Sequence, residues 1–596
     1  MKRKALLLLS LGFLFLTRVG GICWSQTTER VSLGPGSIEG NNASNNPSIS
    51  TDGRHVTFES NATNLVAGDT NSKVDIFVRD LQTGITSRMS VTSGGAEGDD
   101  VSSDPSISAD GRYVAFTSDA TNLLGVGNDT NGWSDIFVRD RDTDIDGIYD
   151  EVGGVSTVRV SVYSDETESI DPSNNPSISD DGRHVAFGSG GELDLTATEF
   201  LLLFDVFVHD RDTDGNGIYD ETGGVTTVRV SEDSDRNEAN GVSSDPSISA
   251  DGRYVAFTSD ATNLLGVGND TNGWSDIFVR DRDTDIDGIY DEVGGVSTIR
   301  VSIDSGGGEG NGDSHSPSIS ADGRYVAFES LSTNLVAGDS NNRVDIFVHD
   351  LQTGTTERVS LDSTEIQGNG DSSSPSVSAD GRYVAFESLS TNLVAGGTNG
   401  NGHVFVRDRQ TGITTIASVD SLGTEGNGDS SAPSISSDGK YVTYESDSDN
   451  LVGVGNDNNG SFDIFTYERE SLPPNVDSTS PADNANGVGV GAAITATFSE
   501  PMNGSTIDTD TYTLDNGVTG TVTYDANSTT ARFTPASKLD YDTTYTATIS
   551  TGAEDLAGNP MPADHTWSFT TQSEENNSSG SGSCFITTAA SYYADF

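Results

Sequence analysis

The sequence predicts an all-β chain: a seven-bladed β-propeller closed by an N-terminal strand, followed by a smaller C-terminal β-sandwich. Three observations predict it. The string Pro-Ser-Ile/Val-Ser recurs at Pro47, Pro105, Pro176, Pro246, Pro317, Pro375 and Pro433. Each copy leads into short runs rich in Val, Ile, Phe and Tyr, separated by Gly, Asp and Asn turns, which suits strands and hairpins. After Glu470 the repeats stop and a Pro- and Asn-rich junction, "SLPPNVDSTSPADNANGVGV", opens a stretch of a different texture.

Within each repeat four strands can be read in order. "PSIS" is the first, and an Asp-Gly turn such as Asp110-Gly111 leads to "RYVAF", the second. A polar loop precedes "DIFVRD", the third, and a Gly-containing turn as in "LQTGTT" leads to "ERVSL", the fourth. Four-stranded units in series, none able to bury both faces alone, are the signature of a propeller. The last repeat ends at Glu470 after its third strand, "DIFTYERE". Its missing strand stands at the other end of the repeats, where "TERVSL" at Thr28 to Leu33 matches the fourth strand at Thr356 to Leu361. Pairing the two would close the ring and cover an exposed edge. The propeller is therefore expected over 28–470, and the alternating runs "AITATFSEPMN", "TGTVTYD", "ARFTPAS" and "TYTATISTG" place the sandwich in 471–571.

Charge excludes some functions. With 92 acidic against 31 basic residues and a formal charge of −61, the chain should repel nucleic acid and anionic membrane surfaces and attract cations. The opening "MKRK" followed by "ALLLLSLGFLFL" reads as an export signal over residues 1–25, with cleavage near Ser25; a lipid anchor on Cys23 is disfavoured by the bulky Ile22 before it. No later stretch approaches the ~20 apolar residues of a spanning helix. The expected product is exported, extracellular or at the cell surface with the periplasm as alternative, and monomeric.

Three repeats are longer than the others by about a dozen residues. The extra segment lies between their third and fourth strands and carries alternating carboxylates. In "DRDTDIDGIYDEVGG" Asp142, Asp144 and Asp146 alternate, Gly147 permits a bend, Ile148 can offer a backbone carbonyl, and Asp150 follows. Asp212, Asp214, Asn216, Ile218 and Asp220 repeat the pattern with one amide, and Asp283, Asp285, Asp287, Ile289 and Asp291 repeat it unchanged. A hard cation needs several oxygens at short range, and this spacing supplies them at positions 1, 3, 5, 7 and 9 of a calcium loop. Position 12, a bidentate Glu in an EF-hand, is Gly153 here. Residues 101–157 and 242–298 are identical, so the outer two copies are not independent witnesses. The expectation is structural calcium on three hairpins; the plainer reading is a solvated acidic turn. The loops resemble those of thrombospondin type 3 repeats through "DxDxDGxxD".

A second acidic pattern, Asp-x-Asn-x-x-x-Asp, precedes most third strands, as at Asp69, Asn71 and Asp75 or Asp339, Asn341 and Asp345; blade six has Thr398 and His403 instead. These side chains are expected to cap turns. The seven histidines are scattered: His209 and His349 stand where other repeats have Arg, His55 and His184 where others have Tyr. No base is poised beside a nucleophile, so the chain is expected not to be an enzyme.

The phrases "PSISADGRYVAF" and "DIFVRD" resemble the WD40-like blades of TolB-type propellers over Thr28 to Glu470, which implies the fold and a protein-interaction role. "STSPADNA", "ATFSEPMN", "LDYDTTYTATIS", "DLAGNPM" and "WSFTT" resemble the SbsA-type bacterial Ig-like domain, implying a spacer or adhesion module. After a flexible linker over 572–583, "CFITTAASYYADF" at 584–596 resembles a shortened CFI-box segment, implying attachment or processing at Cys584. The combined expectation is an exported, non-catalytic binding or adhesion scaffold for an envelope or extracellular protein or carbohydrate. Its ligand surface is expected on the face opposite the hairpins, where long loops such as "TNLVAGDTNSKVD" gather. A propeller hydrolase or lyase acting on polysaccharide and a periplasmic TolB-like accessory protein are the alternatives.

Overall fold

The computed structural model describes residues 27–191, 193, 203–453, 455–469, 474–499, 502–525, 529–555 and 560–574. The expected leader and the Cys584 segment lie outside them. The chain forms two compact units, divided after Glu470. Among the described residues every element is a strand except one short 3-10 turn at Gly504–Thr506. No helix there is long and apolar enough to cross a membrane.

Among its described residues the first unit contains seven four-stranded antiparallel sheets. Blade two shows the pattern, with strands Ser102–Ile107, Tyr113–Ser118, Asp135–Asp140 and Ser156–Arg159 in that order. The first strands of successive blades are neighbours all the way round, blade seven beside blade one included, so they line the axis. Blade seven takes Ser430–Ile435, Tyr441–Ser446 and Asp463–Glu468 from one end of the repeats and Thr27–Arg30 from the other. Thr27 pairs with Glu468 and Arg30 with Phe465.

Local chemistry explains these strands. The residue before each repeat proline has positive φ, Asp104 at 52° for example, and the register of the first two strands shifts between Ser103 and Ser106. Pro105 cannot donate to the ladder, so the strand bulges there. The third strand is a continuous apolar run because neighbouring blades cover both its faces: Ile76, Phe77 and Val78 are all fully buried. The cores consequently lie between blades. Val31 and Ile464 of blade seven pack with Val56, Phe58 and Phe77 of blade one. Buried serines face one another across the first two strands, as Ser44 and Ser60 do at 2.8 Å.

The turn between first and second strands is tied to the end of the third. Asp52 accepts from Ser50 and from the Arg54 amide, while Arg54 grips Asp80 through two bonds of 3.0 and 2.7 Å. Arg112 and Asp140, Arg183 and Asp210, and Arg253 and Asp281 repeat this fork.

The second unit is a sandwich of two four-stranded sheets. One contains Val476–Ser480, Ile494–Phe498, Thr530–Pro535 and Gly520–Asp525; the other contains Ala485–Val488, His565–Thr571, Thr544–Ile549 and Tyr512–Leu514. Ile494, Phe533, Tyr545, Trp567 and Phe569 fill the space between them.

Candidate functional site

The three acidic hairpins extend from the third strands of blades two, three and four. In the first, Asp142, Asp144 and Asp146 bring carboxylate oxygens within 4.8 Å of one another, and Asp283, Asp285 and Asp287 do the same in blade four. Asp142 is buried and organises the turn, accepting from the amides of Asp146 at 3.1 Å and Gly147 at 2.9 Å. Asp146 in turn accepts from the Ile148 amide at 2.8 Å. Gly147 sits at φ 84°, a conformation that glycine adopts without cost.

Asp150 is drawn elsewhere. Its carboxylate takes a forked ion pair from Arg141, with Nη2 2.7 Å from Oδ2, and that guanidinium also donates to the Gly111 carbonyl at 2.7 Å. Asp220 meets Arg211, and Asp291 meets Arg282, in the same way. Glu151, one residue further on, lies beside Asp144, since a β-carbon at Gly154 would meet both its Oε1 and Asp144 Oδ1. It is pushed up chiefly by the Asp146 charge, with Asp144 and Asp142 adding to it, and Glu292 is pushed up by Asp287 likewise. Sequence spacing missed Glu151 because it falls out of alternation; the available signal was Arg141, a ready partner for one of the acids.

In the middle hairpin the amide substitution changes the chemistry. Asn216 Nδ2 donates to Asp214 at 3.0 Å and also to Glu221, so an N–H group stands between two carboxylates. Asp212 still accepts from the Asn216 and Gly217 amides. Ile148, Ile218 and Ile289 expose their side chains.

The hairpins also clamp neighbouring blades. Tyr149 lies 5.5 Å from the His55 ring of blade one, Tyr219 5.6 Å from Tyr113, and Tyr290 5.2 Å from His184. The Tyr149 hydroxyl donates to the Asp110 carbonyl.

The second acidic pattern caps turns as expected and has a further role: Asp270 accepts from the Asn272 and Gly273 amides, and Asp339 from the Asn341 amide. Asn71 does cap, accepting from the Lys73 amide at 2.9 Å. The aspartates also surround a largely buried arginine of the fourth strand: Arg88 Nη1 lies 3.0 Å from Glu97, 3.2 Å from Asp75 and 3.5 Å from Asp69. Arg30 gathers Glu39, Asp457 and Asp463, Arg300 gathers Asp270, Asp276 and Glu309, and Arg358 meets Asp339 and Asp345. Burial outweighs these pairings and pushes Asp135, Asp457 and Asp463 up to about 6. Blade six has Ile416 where the others have arginine, and Gly397 and His403 where blade one has Asp69 and Asp75; Thr398 aligns with Thr70 and is not the replaced acid. Acids and arginine are lost together, so the guanidinium is the cation of these clusters. Two of them have carboxylates close enough for a metal ion, but the arginine already occupies that role.

The repeat histidines serve packing. His209 bonds Thr227, and His349 bonds Thr356, both at 2.9 Å; His403 bridges Ser418 and Asn399. Burial pushes His55 and His209 down to about 4.

Residues 470–571 match the bacterial Ig-like domain family. No curated protein matches the chain. Among solved structures, a putative TolB from Agrobacterium tumefaciens is 15% identical, with 57% of this chain and 87% of that one covered and a TM-score of 0.31. TolB from Acinetobacter baumannii is 17% identical, covering 67% and 76%, also at 0.31. An oligogalacturonate lyase in complex with manganese is 11% identical, covering 75% and 97% at 0.40.

Proposed function

We propose that the protein is an exported, non-catalytic binding or adhesion scaffold whose propeller carries structural calcium on its acidic hairpins. One contrast carries the calcium reading. Elsewhere in the propeller, groups of three carboxylates close on a largely buried arginine, whereas Asp142, Asp144 and Asp146 converge with Glu151 beside them and Arg141 turned away to Asp150. Carboxylates held this close repel unless a cation joins them. The outer hairpins would supply Asp142, Asp144, Asp146 and Glu151, or Asp283, Asp285, Asp287 and Glu292, with the Ile148 or Ile289 carbonyl. The middle hairpin, bridged by Asn216, needs a cation least. This reading takes two strong sites where sequence spacing suggested three.

The scaffold reading is supported by the employment of the histidines and most arginines in contacts within and between blades, and by the Ig-like domain. In this reading that domain is of SbsA type, the hairpins are thrombospondin-like calcium loops, residues 1–25 are a cleaved signal, and the Cys584 segment serves attachment. Calorimetric titration of the mature chain with calcium tests it. Two tight sites are expected; heat no larger than that of magnesium dilution would overturn the calcium reading.

A further inference from the structure

The blade seams hold a repeated seat for a guanidinium group, and two seats have leucine in place of its arginine. At the seam of blades five and six, Arg409 lies 4.5 Å above the Tyr325 ring. Its Nε donates to Glu357 at 2.5 Å, and its Nη1 donates to the Gly381 carbonyl. At the next seam Arg469 stacks 4.2 Å above Tyr383 and donates to the Gly439 carbonyl at 2.7 Å. The backbone marks the position in each blade: the Arg409 amide donates to the Arg382 carbonyl, and the Arg469 amide to that of Lys440.

At the seam of blades seven and one the same amide bond runs from Leu81 to Arg54, so Leu81 takes the arginine's place. The rest of the seat is present. Tyr441 corresponds to Tyr325, Gly53 to Gly381, and Glu29 in "TTER" to Glu357 in its own "TTER". Around them lies a cavity of about 520 Å³ whose wall includes Glu29, Asp52, Leu81, Tyr441 and Glu468. The chain's nearby cations are already paired: Arg54, which also lines the cavity, grips Asp80, and Lys440 lies 3.0 Å from Glu468 and 5.0 Å from the Tyr441 ring. Lys440 thus covers one face of Tyr441 as Arg382 covers Tyr383 at 4.6 Å. Tyr441 borders the cavity beside Glu29 and Leu81, and Leu81 holds the position from which Arg469 covers Tyr383. The seam of blades four and five also has leucine, Leu351, but Ile299 stands there in place of the glutamate.

We propose that this cavity receives an arginine side chain of a partner protein, its guanidinium stacked on Tyr441 and paired with Glu29. An aromatic floor with a carboxylate beside it suits a planar, delocalised cation better than a compact ammonium. The inference rests on the reading of the propeller as a binding module and is independent of the calcium hairpins.

Saturation-transfer NMR on the full chain with capped Gly-Arg-Gly, Gly-Lys-Gly and Gly-citrulline-Gly peptides tests it. The arginine peptide is expected to bind about tenfold more tightly than the citrulline peptide, which keeps the shape and loses the charge. Leu81→Arg should abolish that binding and raise the unfolding temperature by seating the chain's own guanidinium. Glu29→Gln, a change on an exposed side chain, should weaken arginine binding several-fold without altering stability. Equal binding of arginine and citrulline, equal binding of lysine, or binding that survives Leu81→Arg would each overturn the proposal. None of these outcomes bears on calcium.

Discussion

Gly53 of the first blade lies directly on the ring of Tyr441 in the last: a β-carbon at Gly53, where φ is 71°, would stand 2.2 Å from Tyr441 Cδ2. The same contact joins Gly111 to His55, Gly182 to Tyr113 and Gly439 to Tyr383. The seam that closes the ring is therefore built like the seams inside it, although its partners are almost four hundred residues apart in sequence.

Gly53→Ala meets both a left-handed backbone and an aromatic ring, and should cost about 2–4 kcal/mol. Gly36→Ala, at φ 74° with open space around it, should cost only about 1 kcal/mol. Urea unfolding of both variants checks this. Equal losses would mean that the Tyr441 contact contributes nothing.

Arg88→Met should strip one cluster of its internal cation and leave Asp69, Asp75 and Glu97 facing one another, at a cost of about 3–5 kcal/mol at neutral pH. The loss should shrink near pH 5, where the carboxylates take up protons. Changing Arg88 to Ile, Asp69 to Gly and Asp75 to His together copies blade six and should recover most of the stability. Denaturation midpoints at the two pH values decide it.

The repeats, the four strands per blade and the displaced fourth strand were legible because each rests on local signals: Pro105 at a bulge, Asp110-Gly111 at a turn, an apolar run where a strand is covered on both sides. The arginine clusters were not, since Asp75 and Arg88 meet only when the third and fourth strands pair. Their trace in the sequence was the joint change at Gly397, His403 and Ile416. Asp150 was misleading for the same reason. Alternation put it with Asp146, and the fold turned it, at φ 63°, toward Arg141. Gly53 and Tyr441 were recognisable as a turn and a strand residue, but their contact follows only from closure.

Stability should rise as pH falls from about 7.5 to about 5 in the presence of EGTA. Asp135, Asp457 and Asp463, pushed up to about 6 by burial, are disfavoured as anions in the folded state, so their protonation removes a penalty. Asp350 works in the other direction. Arg324 holds its carboxylate well below the usual range, and that contribution fades only as pH falls below about 4. An unfolding temperature that peaks near pH 5 is expected; a steady decline from pH 7.5 would contradict it.

The central claim is that the outer hairpins hold calcium and the middle one does not depend on it. Thermal unfolding of the mature chain in excess EGTA and in millimolar calcium tests this most directly, beside Asp144→Asn with Asp285→Asn, and beside Asp214→Asn alone. A ligand at a hundred times its dissociation constant stabilises the folded state by about 2.7 kcal/mol per site. The account predicts a calcium-dependent rise that the double variant loses and Asp214→Asn keeps. Identical unfolding of the wild type with and without calcium would contradict it, and would leave the alternating carboxylates as solvated turns.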